Sequence, residues 1–175
     1  MSKQLVFAST ISLLSVFLFP FSADASLNCS ELEGTGVQSD PYLISNQEEF
    51  ALVDKDVCGS GKFYKLTASF DATGTWPQVN LDGVLDGNYK FIRGLDVEVF
   101  GSVAGEINNL IVISGNLGSP SASYAGGLGR FAGGDLTIDG LRFYAESVQS
   151  SMGAGCLFGS FNLADLTIKN SYIEC

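Results

Sequence analysis

One short phrase recurs along the chain and constrains its fold more than any other feature. It begins with an aliphatic residue, has Gly or Asn at its third position and a large apolar residue at its sixth. The four copies begin at Ile92, Ile107, Ile138 and Ile168. Gly and Asn accept a positive φ angle more readily than other residues. Each third position is therefore expected to be a corner where one short strand turns into the next. These corners are Gly94, Asn109, Gly140 and Asn170.

A second phrase, in which a large apolar residue precedes glycine, recurs at Gly101, Gly129 and Gly159. In the later copies both phrases repeat at a spacing of about 30 residues, which is typical of stacked repeat architectures. The first corner interval is about half as long, which predicts a shorter first coil. Short strands joined by corners at a regular spacing predict an all-β chain, a β-solenoid.

The first 25 residues have the pattern of a secretory signal peptide. Lys3 supplies a positive charge, residues 5–21 are largely apolar, and Ala23-Asp24-Ala25 fits an A-x-A cleavage site. The apolar run is short for a membrane span. We therefore expect an exported protein that resides outside the cell, on the cell surface or in the periplasm.

The chain is acidic and contains no histidine. Its net charge is −10, and removal of residues 1–25 takes away one basic and one acidic residue, which leaves the charge unchanged. Nucleic acids and anionic membranes attract clustered Lys and Arg, so the composition argues against both as partners. Histidine is the commonest general base and zinc ligand. We expect neither a cofactor nor a metal.

Four cysteines follow the cleavage site: Cys29, Cys58, Cys156 and Cys175. An even number in an exported chain indicates disulfides, and four cysteines allow three pairings. The most local pairing joins Cys29 to Cys58 and Cys156 to Cys175, so that each bridge clips one end of the solenoid. Metal binding is the alternative, but no C-x-x-C spacing supports it.

We divide the mature chain into an N-terminal cap, residues 26–61, and a solenoid, residues 62–175. In the cap, Ser45 and Glu48 have the spacing of a capping box, and Phe50 and Val53 give an apolar side to a helix predicted over about residues 46–53. Its expected role is to cover the first coil. The last coil lacks a comparable cap. We expect a longer repeat protein, or another chain that covers this coil.

The order of several short motifs resembles that of a known family. The motifs are Asp40-Pro41-Tyr42-Leu43-Ile44-Ser45, Trp76-Pro77, Leu85-Asp86-Gly87-Asn88, Phe100-Gly101, Gly126-Gly127-Leu128-Gly129 and Cys156-Leu157-Phe158-Gly159. In this order they resemble bacterial secreted proteins with GLUG-motif repeats, over about residues 34–175. The resemblance implies a right-handed parallel β-helix in an adhesin-like surface protein. It implies no shared active site.

Acidic residues near two turns are the candidates for catalysis. Asp82 and Asp86, with Lys90 and Arg93, could form a sugar-cleaving cluster, but Asp-Gly pairs are also ordinary turn residues. A glycosidase needs two carboxylates at a defined separation across a cleft, and the sequence fixes no such separation. Two further acids, Asp135 and Asp165, precede equivalent strands and lack the ladder of a calcium site. Aromatic candidates for ligand stacking are Tyr64, Trp76, Tyr124 and Tyr144, for which packing is the preferred role.

The sequence therefore leads to two functional hypotheses. The first is a non-catalytic secreted or cell-surface module for interaction or adhesion, whose partner is a protein or glycan at the cell surface. Self-association through the uncapped C-terminal coil belongs to this hypothesis. The second is a small polysaccharide-active β-helix enzyme, a lyase or a glycosidase, that uses Asp82 or Asp86.

Overall fold

The structure is a computed structural model, and it describes residues 28–175; the predicted signal peptide, residues 1–25, lies outside the described residues. The described chain is mostly β and contains thirteen strands, two short α-helices and a 3-10 helix at Cys29–Glu31. All pairings between these strands are parallel. The all-β class expected from the sequence is confirmed.

The strands form three sheets, and successive strands fall mostly in different sheets. The six-stranded sheet has the order β1 (Tyr42–Ile44), β2 (Lys62–Leu66), β4 (Val79–Asp86), β6 (Phe100–Asn108), β9 (Gly129–Asp139), β12 (Phe158–Lys169). The five-stranded sheet has the order β3 (Phe70–Asp71), β5 (Phe91–Leu95), β7 (Ile111–Gly118), β10 (Arg142–Gln149), β13 (Tyr172–Glu174). A two-stranded sheet pairs β8 (Tyr124–Gly126) with β11 (Gly153–Gly155). From β2 onward the chain visits the sheets in turn, and we call each such round a passage. Each strand then pairs with the strand that the preceding passage contributed to the same sheet.

Three of the four expected corner residues lie between strands. Asn109, Gly140 and Asn170 directly follow β6, β9 and β12, with φ angles of +52°, +72° and +48°. At each point the chain leaves the six-stranded sheet and enters the five-stranded sheet. The positive φ angles are those that Asn and Gly tolerate best, so these residues permit the change of direction.

Gly94 differs from this expectation. Its φ angle is +83°, but it lies inside β5, where the register shifts between Arg93 and Leu95. A shift of this kind is a β-bulge, in which glycine supplies an otherwise strained backbone conformation. The turn into β5 is made by Asn88 and Tyr89, with φ angles of +48° and +57°.

The strand register explains why the spacing between the first and second copies of the repeated phrase differs from the later spacings. Leu85 of β4 pairs with Ile107, 22 residues later. Ile107 pairs with Ile138, 31 residues later, and Ile138 pairs with Ile168 after another 30. Ile92 instead pairs with Val112 in the other sheet. The longer later passages accommodate the additional strands β8 and β11.

The core lies between the sheets and consists of columns of apolar side chains that repeat from strand to strand. In β4 burial alternates strictly, and Leu81 and Leu85 point inward with 1% and 0% exposure. Ile107 and Ile138 continue the column of Leu85, and both are fully buried. Each fully buried aliphatic side chain contributes about 1.5–3 kcal/mol through the hydrophobic effect. The alternation of the strands therefore places the stabilising side chains in one continuous interior.

Two short helices, α1 (Gln47–Phe50) and α2 (Lys55–Cys58), follow β1. The N-cap of α1 is Asn46, whose Oδ1 accepts a hydrogen bond from Glu49 N at 2.8 Å. The Glu49 carboxylate accepts from Ser45 N at 2.6 Å. The cap thus lies one residue later than Ser45 and Glu48 predict, and α1 is shorter than the predicted helix. Strand β1, which we assigned to the cap, already belongs to the six-stranded sheet.

The N-terminal end of the core is covered by α1. Phe50 is fully buried, and its ring centroid lies 5.1 Å from that of Trp76 and 5.8 Å from that of Phe100. Leu52 and Val53, just after α1, are 3% and 0% exposed. These side chains shield the first passage of the chain from solvent.

Two disulfides are present, and both have the most local pairing. Cys29 is joined to Cys58, with Cα atoms 5.4 Å apart, and Cys156 to Cys175, with Cα atoms 5.9 Å apart. The first ties the 3-10 helix to α2, and the second ties the residue after β11 to the residue after β13. Disulfides persist in oxidising compartments, so both bridges are compatible with an exported protein.

Candidate functional site

The last strands of all three sheets lie together at one end of the molecule. β11, β12 and β13 are each the terminal strand of their sheet, paired on one side alone. A terminal strand presents unpaired N–H and C=O groups along its free side. We call this surface, formed by the free sides of β11, β12 and β13, the open end.

Apolar side chains that would belong to the core are exposed at the open end. Leu166 pairs with Leu136 and Ile168 with Ile138, so both continue buried columns. Leu136 and Ile138 are 1% and 0% exposed, whereas Leu166 and Ile168 are 40% and 43% exposed. Phe161 on the same strand is 72% exposed. Among residues 28–175, the open end is thus an apolar surface bordered by unpaired backbone groups, whereas α1 covers the N-terminal end.

The same strand carries two opposite charges on its outer face. Asp165 and Lys169 flank Thr167, and all three alternate with the inward-directed Leu166 and Ile168. A register shift precedes Asp165, and the Asn170 corner follows Lys169. Residues 165–169 are therefore a regular stretch of edge strand with apolar residues on one face and charged residues on the other.

The two acids considered for catalysis are separated by the structure. Asp82 and Asp86 lie on the same face of β4, four residues apart, which at about 3.3 Å per residue is roughly 13 Å. Paired carboxylates in glycosidases are about 5 to 9.5 Å apart. Asp82 lines an open groove of about 450 Å³ with Lys55 and Asp135. Asp86 lines another of about 530 Å³ with Lys65 and Glu106.

Asp86 is held by one backbone and one side-chain hydrogen bond at the turn after β4. Its Oδ1 accepts a hydrogen bond from Asn88 N at 2.9 Å, as in an Asx turn, and another from Asn109 Nδ2 at 3.3 Å. Its neighbour Asn88 donates Nδ2 to the carbonyl of Leu66 at 3.1 Å. The carboxylate thus fixes the turn between β4 and β5 and links it to the next corner.

Arg93 does not join Asp82 or Asp86. Its Nε donates to Asp71 Oδ1 at 2.7 Å and its Nη2 to Oδ2 at 2.9 Å, which bridges β3 and β5 in the five-stranded sheet. This bidentate hydrogen bond lowers the pKa of the Asp71 carboxyl, with a smaller contribution from the charge of Arg93. Lys90 lies in the turn before β5. The four residues that we considered for sugar cleavage form no single cluster.

Asp135 and Asp165 lie side by side on adjacent strands, in equivalent positions of β9 and β12. Within residues 28–175 we find no group of three or more Cys, Asp or Glu side chains arranged to hold a metal ion. The same part of the chain contains no helix with the length and apolar character needed to span a membrane.

The aromatic candidates differ in their surroundings. Trp76 is 5% exposed, and its Nε1 donates to the Val99 carbonyl at 3.0 Å, so it packs into the core. Tyr64 is 2% exposed, and its hydroxyl has no hydrogen-bond partner among the described residues. Its burial, with smaller contributions from Tyr42 and Asp54, raises the pKa of Tyr64. Tyr124 packs against Phe131 and Tyr144 against Tyr172, at the surface near the open end.

Sequence reasoning missed one buried ion pair. Glu98, in the loop before β6, has a side chain that is 4% exposed, and its Oε1 lies 2.5 Å from Nη2 of Arg130 on β9. Within residues 28–175, Glu98 Oε1 and Arg130 Nε have no hydrogen-bond partner of good geometry, so the contact is an ion pair without an aligned hydrogen bond. The one sequence signal of its burial is that Glu98 lies between two apolar residues, Val97 and Val99.

No protein-family model, no curated protein and no solved structure matches this chain.

Proposed function

We propose that this chain is an exported, non-catalytic interaction module, built as a right-handed parallel β-solenoid with a helical cap at its N-terminal end. The parallel pairing of each passage with the one before it supports the solenoid. Right-handed connections are the rule for parallel strands joined by a crossover, and this supports the handedness. The two disulfides support export.

One observation carries the functional proposal: the open end exposes apolar side chains whose counterparts one strand away are buried. Exposed apolar surface of this kind marks interaction sites on folded proteins. The terminal strands also offer backbone groups for pairing with a partner. The motif resemblance to GLUG-repeat proteins points to the same class of function, a protein or glycan partner at the cell surface.

A polysaccharide-active enzyme is the weaker candidate. Its residues, Asp82 and Asp86, lie about 13 Å apart along one strand and line different grooves. Asp86 is further engaged by the turn that follows β4. Asp82 and Asp86 are thus too far apart to act as one catalytic pair, and neither groove contains both of them.

Binding and cleavage can be measured on the same panel of bacterial surface polysaccharides and immobilised surface proteins, with the mature protein itself included among the immobilised proteins. We expect saturable binding by the mature protein and no new polysaccharide ends. The variant Phe161→Ser/Ile168→Ser should lose at least about tenfold in affinity, since it removes buried contact area from the interface. Tyr89→Ser is the matched control, because Tyr89 is 69% exposed and lies in the turn before β5.

Saturable polysaccharide cleavage that disappears in Asp82→Ala or Asp86→Ala would overturn the proposal in favour of the enzyme. Equal binding by wild type and the Phe161→Ser/Ile168→Ser variant would also count against it, because the open end would then contribute nothing.

A further inference from the structure

We propose that the partner at the open end is a second copy of this chain, which pairs its β12 antiparallel to β12 of the first copy about a two-fold axis at Thr167. The inference rests on the proposed function, because it names the partner of the same surface. The six-stranded sheets of the two copies would then continue into each other.

The direction of the backbone groups supports this pairing. The carbonyl of Lys169 accepts a hydrogen bond from Gly140 N at 3.1 Å, so it points back toward the preceding passage. Backbone groups of successive residues in a strand point to opposite sides. The N–H and C=O groups of Leu166 and Ile168 therefore point to the free side of β12, where a second strand can pair with them.

The regular part of β12 selects the register. A bulge precedes Asp165 and the Asn170 corner follows Lys169, so Thr167 is the midpoint of the stretch that can pair. In a two-fold arrangement about Thr167, Leu166 of one copy lies opposite Ile168 of the other. Both residues direct their backbone groups to the free side, so the two opposed pairs form the hydrogen-bonded pairs of an antiparallel ladder.

Charge complementarity favours the same register. About Thr167, Asp165 of one copy lies opposite Lys169 of the other, and symmetry creates this pair twice. These positions are non-hydrogen-bonded pairs, in which opposed side chains are closest. Registers centred on Asp165 or Lys169 place like charges opposite each other. Registers centred on Leu166 or Ile168 place both charges opposite uncharged residues.

The apolar face of β12 also fits a second copy. Leu166 and Ile168, 40% and 43% exposed, lie on the inner face of the strand and meet their counterparts from the other chain. The apolar columns that run from Leu136 and Ile138 would thereby continue across the two-fold axis. An isologous contact of this kind closes on itself and gives a dimer instead of a fibre.

Sedimentation velocity of the mature protein tests the proposal through charge reversal. We expect a dimer for the wild type, and at least about a tenfold weaker dimer for Asp165→Lys and for Lys169→Asp, because each variant opposes like charges. An equimolar mixture of the two variants should regain the dimer, since each heterologous pair then joins Lys to Asp. This recovery requires that both variants are folded.

Asp96→Lys is the control, because it changes the net charge as Asp165→Lys does but lies at an exposed position between β5 and β6. It should dimerise as the wild type does. A monomeric wild type would overturn the second copy as partner, as would a mixture that stays monomeric. That result is separate from polysaccharide cleavage, which bears on the proposed function and not on β12 pairing.

Discussion

Ile168 lies beside Ile138 in the same parallel sheet, yet Ile138 is fully buried and 43% of Ile168 is exposed. The two residues have the same side chain, and both continue the column that runs through Leu85 and Ile107. They differ in that β9 is covered by β12, whereas β12 has a free side. The pair is therefore an internal comparison of a covered and an uncovered passage of the same fold.

Replacing each of these isoleucines by alanine should have unequal effects on stability. Ile138→Ala should lower the free energy of unfolding by about 2–5 kcal/mol, the usual loss for a core isoleucine. Ile168→Ala should cost less than half as much, because a large part of its side chain already contacts water. Urea unfolding at low protein concentration in the Asp165→Lys background, in which the proposed dimer should be weakened, measures both. Equal losses would mean that Ile168 is covered within the monomer.

Two glycines with positive φ should differ in their tolerance of valine. Gly94 and Gly140 have φ angles of +83° and +72°, so valine introduces backbone strain of about 1–3 kcal/mol at either site. At Gly140 the new Cβ would also lie 2.8 Å from Asn109 Oδ1, whereas at Gly94 the nearest atom is 3.8 Å away. Gly140→Val should therefore be the more destabilising in thermal or urea unfolding. Unchanged midpoints for both would contradict the strain at these sites.

The sequence predicted the corners where two signals agreed. At Asn109, Gly140 and Asn170 a residue that tolerates positive φ follows an alternating apolar strand, and both features repeat. Gly94 has the same local chemistry, because a bulge and a corner require the same backbone conformation. The difference lies in which strand each residue pairs with, and pairing across the sheet is not visible in a local phrase.

Replacing one partner of the Glu98–Arg130 ion pair should lower the free energy of unfolding more than replacing both partners by apolar residues. Arg130→Met leaves the buried Glu98 carboxylate without its partner. Such losses reach about 3–5 kcal/mol in fully buried pairs, and we expect about 2 kcal/mol because 43% of the Arg130 side chain is exposed. Glu98→Leu/Arg130→Met should recover most of this loss in urea unfolding. A double variant as unstable as Arg130→Met alone would contradict the assignment.

This pair also marks a limit of sequence reasoning. Glu98 and Arg130 are 32 positions apart in the printed sequence and belong to different passages of the chain. A charged residue between two valines is ordinarily expected to point to solvent. Its burial depends on Arg130, which the parallel pairing of β6 with β9 brings alongside. The exposure of Ile168 likewise depends on what lies next to β12 and not on the local pattern.

Removal of the Tyr64 hydroxyl should not destabilise the protein. The hydroxyl is buried with no hydrogen-bond partner in the described part of the chain, which costs about 1–3 kcal/mol, so Tyr64→Phe should be neutral or stabilising at neutral pH. Burial raises the pKa of Tyr64 above the usual tyrosine value of about 10, so the fold favours the neutral phenol. The contribution of Tyr64 ionisation to the free energy of unfolding therefore falls as the pH rises above about 10, where the unfolded chain loses the phenol proton first. The wild type should then lose stability faster than Tyr64→Phe.

The matched control is Tyr42→Phe, because Tyr42 is half-buried and its ring lies 5.8 Å from that of Tyr64. It should leave the unfolding midpoint and its alkaline dependence close to those of the wild type. A clear loss of stability in Tyr64→Phe at neutral pH would show that the hydroxyl does have a partner.

Hydrogen exchange of single amides in β12 tests the open end most directly. The amides of Leu166 and Ile168 point to the free side, so in dilute solution they should exchange fast, while Leu136 and Ile138 on β9 stay protected. As the protein is concentrated, exchange at Leu166 and Ile168 should slow together, and Asp165→Lys should move that change to a concentration at least about tenfold higher. Protection of both amides in dilute solution, or exchange that does not depend on concentration, would contradict the account.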